Sequence, residues 1–169
     1  MNSKRVLWIA PLLLGLLAGC ATLDRAGGGG NVVVNYENPE NFTDMTRQDL
    51  SEGADEGYLR ELRRHIERVA ASRVPAGQTL TLTIRDVDMA GDFEPQHGPD
   101  YNDIRIVKTI YPPRIDVAYR LTDSAGNVIE EGDRRLRDTA FTWRAAPVDR
   151  DDPLRHEKAL IDDFLRDIL

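Results

Sequence analysis

Cysteine is almost missing from this chain, with one in 169 residues. No disulfide can form within it, and cysteine-based zinc or iron–sulfur sites lack ligands. Histidine is nearly as scarce: His65, His97 and His156 show neither HExxH nor Cys/His spacing, so no zinc centre is expected. There is no Gly-x-Ser-x-Gly elbow to present a nucleophile. Basic residues are outnumbered, 22 against 29 acidic, for a formal charge of -7. That balance excludes nucleic acid as a partner, because binding it rests on a phosphate-neutralising basic face. Long apolar runs are absent too. The longest, residues 6–17, has twelve residues and is interrupted by Pro11 and Gly15, short of the roughly 20 a membrane-spanning helix needs.

What is present begins with that short run. Lys4 and Arg5 precede it and Leu17-Ala18-Gly19-Cys20 follows it, the three-part layout of a secretory signal peptide over residues 1–19. Leu-Ala-Gly-Cys resembles the lipobox of bacterial lipoproteins, which implies that Cys20 is acylated and becomes the new N-terminus. One acyl chain binds membranes only reversibly, and the diacylglycerol plus N-acyl group of such lipoproteins would supply the additional hold. Ala21 stands where inner-membrane retention uses Asp, so the expected location is the outer membrane, anchored by lipid and facing the periplasm. Removing residues 1–19 leaves 20 basic residues against 29 acidic, a formal charge of -9.

Residues 20–30 then read as the lipidated cysteine and a flexible tether ending in Gly27 to Gly30. These glycines lack the Lys-Ser/Thr of a phosphate-cradling loop. Residues 31–169 are read as one periplasmic domain, a length that suits a single core.

The β-branched run 31–36 reads as a strand stopped by Asn38-Pro39. Tyr58, Leu59, Leu62, Ile66, Val69 and Ala70 recur at three and four, one side of an amphipathic helix that ends before Pro75. Leu80, Leu82 and Ile84 alternate with threonines, and Ile115, Val117, Tyr119 and Leu121 alternate with polar residues, so both segments read as strands with one buried face. Ser124-Ala125-Gly126-Asn127 turns the second into a strand starting at Val128, an antiparallel hairpin. Residues 104–110 read as a further strand. Asp151-Asp152-Pro153 reads as an acidic cap with proline in the first turn of a second helix carrying Leu154, Leu160, Ile161, Phe164, Leu165 and Ile168. The expected fold is α+β: a mostly antiparallel sheet of four or five strands with two amphipathic helices packed on one face.

Four segments stand out together: Pro39-Glu40-Asn41-Phe42-Thr43-Asp44, Pro75-Ala76-Gly77-Gln78-Thr79-Leu80, Asp86-Val87-Asp88-Met89-Ala90-Gly91 and Pro112-Pro113-Arg114-Ile115. In this order they resemble the bacterial lipoproteins grouped as domain-of-unknown-function family 3016, over about residues 32–164. The most specific piece is Asp-Val-Asp-Met-Ala-Gly. The resemblance implies location and domain extent, and brings no catalytic residue with it.

Among chemical candidates, Asp86, Asp88 and Asp92 lead an acidic stretch that continues through Glu94, Asp100 and Asp103. Such oxygen density suits a hard cation like Ca²⁺, yet counted from Asp86 the fifth position of a calcium loop is Ala90. The bland reading is capping of turn amides. If the strand from Leu80 continued in register, Asp86 and Asp88 would join Leu82 and Ile84 in the core, which is costly for carboxylates; a bulge near Arg85 is expected instead. A carboxylate pair for glycoside hydrolysis is a weaker reading, since any acidic chain offers many pairs. His65 reads as a half-buried border residue of the first helix, and His97 as a metal helper at most. Arg134, Arg135, Arg137 and Arg144 form a local basic cluster in which Arg135, Arg137 and Arg144 are candidates for a partner's anionic groups. Arg135 and Arg137 share a strand face that Arg134 does not, and the bland reading pairs the cluster with Asp133 and Asp138. No cofactor is expected. The leading functional reading is a non-enzymatic accessory or binding module of the bacterial envelope, held at the membrane by lipid, with an envelope protein as partner; the other is a metal-dependent or carboxylate-based envelope hydrolase.

Overall fold

Alternating apolar and polar residues build the centre of the molecule. In the computed structural model, which describes residues 31–45, 54–94, 104–144 and 151–169, β1 (Asn31–Tyr36), β2 (Thr79–Asp88), β5 (Arg114–Thr122) and β6 (Val128–Arg137) form one four-stranded sheet in the order β1-β2-β5-β6. A second sheet consists of the short strands β3 (Asp92–Phe93) and β4 (Arg105–Ile106). The helices are α1 (Ala54–Ala71) and α2 (Arg155–Ile168). The chain is α+β, as its pattern predicts, but the main sheet is mixed: β1 runs parallel to β2, and β5 runs antiparallel to both of its neighbours, β2 and β6. The parallel pair needs a long return path, and α1 lies on it.

Leu80, Leu82 and Ile84 of β2 and Ile115, Val117, Tyr119 and Leu121 of β5 are buried together with Leu62, Ile66 and Ala70 of α1 and Leu160, Ile161, Phe164 and Leu165 of α2. Both helices therefore cover one face of the sheet, their apolar stripes meeting the inward residues of the strands. Lys158 donates to Glu61 at 2.5 Å and the His65 and Asp162 side chains meet at 2.7 Å, two pairs with the same sequence separation of 97, so the helices lie side by side in the same direction. The turn after β5 carries Gly126 at φ 85°, and the Asp123 carboxylate accepts the Ala125 and Asn127 amides.

The expected bulge is present. Ile84 faces Val117 and Asp86 faces Asp116, with Arg85 inserted between them. One extra residue reverses the side-chain alternation: Val87 returns to the core at 0% exposure, while Asp86 and Asp88 move to the face without helices.

Two expectations are corrected. Residues 104–110 do not form a strand; only Arg105–Ile106 pairs, with β3. Ile104, Val107 and Ile110 are exposed, and Arg105 turns its guanidinium to the Met89 and Gly91 carbonyls, so the segment has no apolar face to set against the sheet. The second helix starts at Arg155, not at Pro153: Asp152 accepts the Leu154 amide, which closes a turn ahead of the helix.

Candidate functional site

The densest polar structure sits where β2 ends. Thr43 donates its amide to Asp86 Oδ1 at 2.6 Å and its hydroxyl to Oδ2 at 2.9 Å, and Arg114 Nη2 donates to the same Oδ2 at 3.0 Å. Burial works against the Asp86 charge, but the Thr43 donors and the Arg114 guanidinium outweigh it and hold the carboxyl below its usual range. Asp88 lies 3.5 Å from Arg114, and burial, with the Asp44 and Asp86 charges beside it, lifts its pKa.

Behind these aspartates, the amides of the next two residues are capped from distant elements. Met89 N–H donates to Asp44 Oδ2 at 2.6 Å, and Ala90 N–H donates to Glu157 Oε1 at 2.8 Å. Arg105 locks the arrangement, donating to Asp44 at 2.7 Å and to the Gly91 carbonyl at 2.7 Å. Gly91 has φ 87°, and a Cβ there would meet the Ile106 carbonyl oxygen at 2.8 Å, so both backbone and space demand glycine. Glu157 is fully buried, and its Oε2 has no partner among the described residues. Burial pushes its pKa up to about 7, against the pull of the Ala90 amide and Arg105. The segment Asp86-Val87-Asp88-Met89-Ala90-Gly91 is thus a junction tying β2 to Thr43-Asp44, to Arg105 on β4 and to the first turn of α2.

The family described as Protein of unknown function (DUF3016) matches residues 30–167. The chain belongs to that family. No curated protein and no solved structure matches it. The DUF3016 match opens one residue before β1 and closes within the last turn of α2, so it takes in every strand and all but the end of α2.

In this DUF3016 domain the three aspartates read as candidate metal ligands do not converge. Asp86 and Asp88 meet at Arg114, whereas Asp92 is exposed on β3 and its Oδ1 accepts the Phe93 amide at 2.7 Å. Among the described residues no group of three or more His, Cys, Asp or Glu is placed to hold a metal. Asp100, Asp103 and His97 lie outside the described residues, as does Cys20. Glu94 is buried and receives Lys108 at 2.6 Å and the Tyr111 hydroxyl at 3.1 Å. His65 is held between Asp162 and Arg68. His156 packs edge-on against Phe141, and burial lowers its pKa.

The arginine cluster divides. Arg135 makes a two-pronged pair with Asp116, at 3.0 and 3.1 Å, on the face without helices, and Arg137 stands on that face opposite Arg114. Arg134 points the other way, over the Tyr119 ring at 5.5 Å. Arg144 is elsewhere, bridging Asp138 and Asp163 at 2.5 Å each. The expected pairing of the strand arginines with Asp133 is replaced, because Asp133 bonds Arg85 and the directly opposite Asp116 is the nearer partner for Arg135. The face itself holds a shallow depression of about 550 Å³ lined by Thr81, Thr83, Arg85, Arg120, Glu131 and Asp133.

Sequence reading missed Asp44, Arg105 and Glu157. Glu157 had a signal: it stands three residues after Leu154 and four before Ile161, on the helical stripe that is otherwise apolar.

Proposed function

We propose that this DUF3016 protein is a non-enzymatic binding module of the bacterial outer membrane, anchored through lipid on Cys20, facing the periplasm and engaging an envelope protein. The anchor reading is supported by Leu17-Ala18-Gly19-Cys20 after a short apolar run. The observation that carries the binding reading is the open face of the sheet. Threonines from β2 and charges of both signs from β2, β5 and β6 surround its depression, a polar surface suited to protein contacts rich in hydrogen bonds. Among the described residues, Asp86 and Asp88 share Arg114, and Glu157 caps Ala90.

The test is a photo-crosslinking residue at Thr83 in the full chain in living cells, with the same residue at Arg64, exposed on α1, as control. Capture of one envelope protein from position 83 and not from position 64 is expected. Absence of capture, together with turnover of an envelope glycan or peptide that Asp88→Asn abolishes, would replace the module with the hydrolase.

A further inference from the structure

The strand β6 closes one side of the sheet, and among the described residues no strand pairs with its outer edge. The helix layer barely reaches it. Of its ten residues only Gly132 and Leu136 are partly buried, the rest are exposed, and Val128 and Ile129 are 46% and 50% exposed. An edge of this length offers a row of unpaired amides and carbonyls to any strand that fits.

The order of charges along β6 selects what fits. Its acidic residues, Glu130, Glu131 and Asp133, all precede its basic ones, Arg134, Arg135 and Arg137. Such a strand is complementary to its own reverse. We propose that β6 pairs antiparallel with β6 of a second copy, joining two four-stranded sheets into one continuous sheet. The register is set by the face without helices, where Glu131, Asp133, Arg135 and Arg137 point together, opposite Arg120, Ala118, Asp116 and Arg114. With Arg134 opposite its own copy, Glu131 faces Arg137 and Asp133 faces Arg135, so every pair on that face joins opposite charges. Shifting the centre to Asp133 or Arg135 sets like charges directly opposite, and shifting it to Gly132 sets Glu131 against Asp133. On the helix side, Gly132 faces Leu136, and each Arg134 is drawn back over its own Tyr119. Charges on an edge strand ordinarily keep other strands away; in this order they admit a copy of the same strand. The pairing is independent of the partner proposed for the open face, and it extends that face across both copies.

The test uses the full chain in bacterial cells. Arg134→Cys puts a thiol at the centre of the pairing, where directly opposite Cα atoms lie about 4.5 to 5.5 Å apart, within reach of a disulfide. Mild oxidation should give a linked dimer several-fold above the unsubstituted chain, which carries the same Cys20, while Val33→Cys on β1 should stay at that baseline. In the detergent-solubilised chain, Arg137→Glu should weaken the dimer about tenfold by sedimentation, because two pairs per dimer change from attractive to repulsive. At dilutions where both proteins are monomeric its melting temperature should hold, since Arg137 has no bonded partner within the described chain. Linkage through Val33, linkage of Arg134→Cys to a different protein, or no linkage above baseline would each overturn the proposal. An unchanged dimer affinity in Arg137→Glu would overturn the charge-matched register on which it rests.

Discussion

Glu157→Gln isolates the buried carboxyl at the junction. An amide has the same shape, its oxygen still accepts the Ala90 amide, and it cannot ionise. In the folded domain burial raises the Glu157 pKa from the ordinary 4.5 to about 7, so between these values the folded form keeps a proton that the unfolded form has lost. With more protons bound when folded, stability falls as pH rises through that window. The contribution is fully present below about pH 4.5 and gone above about pH 7, a loss on the order of 3 kcal/mol at 1.36 kcal/mol per pH unit. Glu157→Gln lacks that loss. Thermal unfolding of both proteins from pH 5 to pH 8 should show similar melting temperatures at pH 5. At pH 8 the variant should melt higher by several degrees, since about 1 kcal/mol moves the midpoint of a domain this size by roughly 2 to 8 °C. Parallel pH dependences for the two proteins would refute the claim that Glu157 enters the core as a neutral acid.

Three further perturbations probe the same framework. Leu62→Ala or Phe164→Ala removes a side chain at 0% or 4% exposure and should cost about 2 to 5 kcal/mol in chemical denaturation. Losses below about 1 kcal/mol would mean that the helices are not seated as described. Asp86→Asn weakens the charge-assisted bonds from Thr43 and Arg114 and should destabilise by about 1 to 3 kcal/mol near neutral pH. Because the folded Asp86 pKa is depressed, that difference should shrink as pH falls below the ordinary carboxylate range, and it should be equal in chelator and in millimolar Ca²⁺. A melting shift of several degrees on adding Ca²⁺, abolished by Asp88→Asn, would instead establish a metal site. Gly91→Ala forces a Cβ to 2.8 Å from the Ile106 carbonyl at positive φ and should lower the melting temperature more than Gly57→Ala, where nothing lies within 4 Å of the added carbon.

Much of the architecture follows from local pattern. The alternation through Leu80, Leu82 and Ile84 and through Ile115 to Leu121 assigns strand faces directly, and the cost of burying Asp86 and Asp88 is enough to place the bulge at Arg85. The direction of β1 is not legible in this way, because a six-residue β-branched run looks the same beside a parallel or an antiparallel neighbour. The clue is the long connection containing α1, which suits a parallel crossover. Residues 104–110 mislead because Ile104, Ile106, Val107 and Ile110 imitate a strand, while the energetic task of the segment falls to Arg105. At the candidate site the aspartates of the motif stand out in sequence. Their partners do not, since Asp44 and Glu157 reach Met89 and Ala90 across 45 and 67 residues, a contact that only the packed fold creates.

The proposal as a whole depends on the anchor. Intact-mass and peptide mass spectrometry of the chain purified from bacterial membranes, compared with Cys20→Ala, tests it directly. The expected product begins at Cys20, carries the diacylglycerol and N-acyl groups on that residue and is absent from the Cys20→Ala protein. A membrane-derived chain whose Cys20 carries a free thiol, or one processed identically when Cys20 is Ala, would contradict the account.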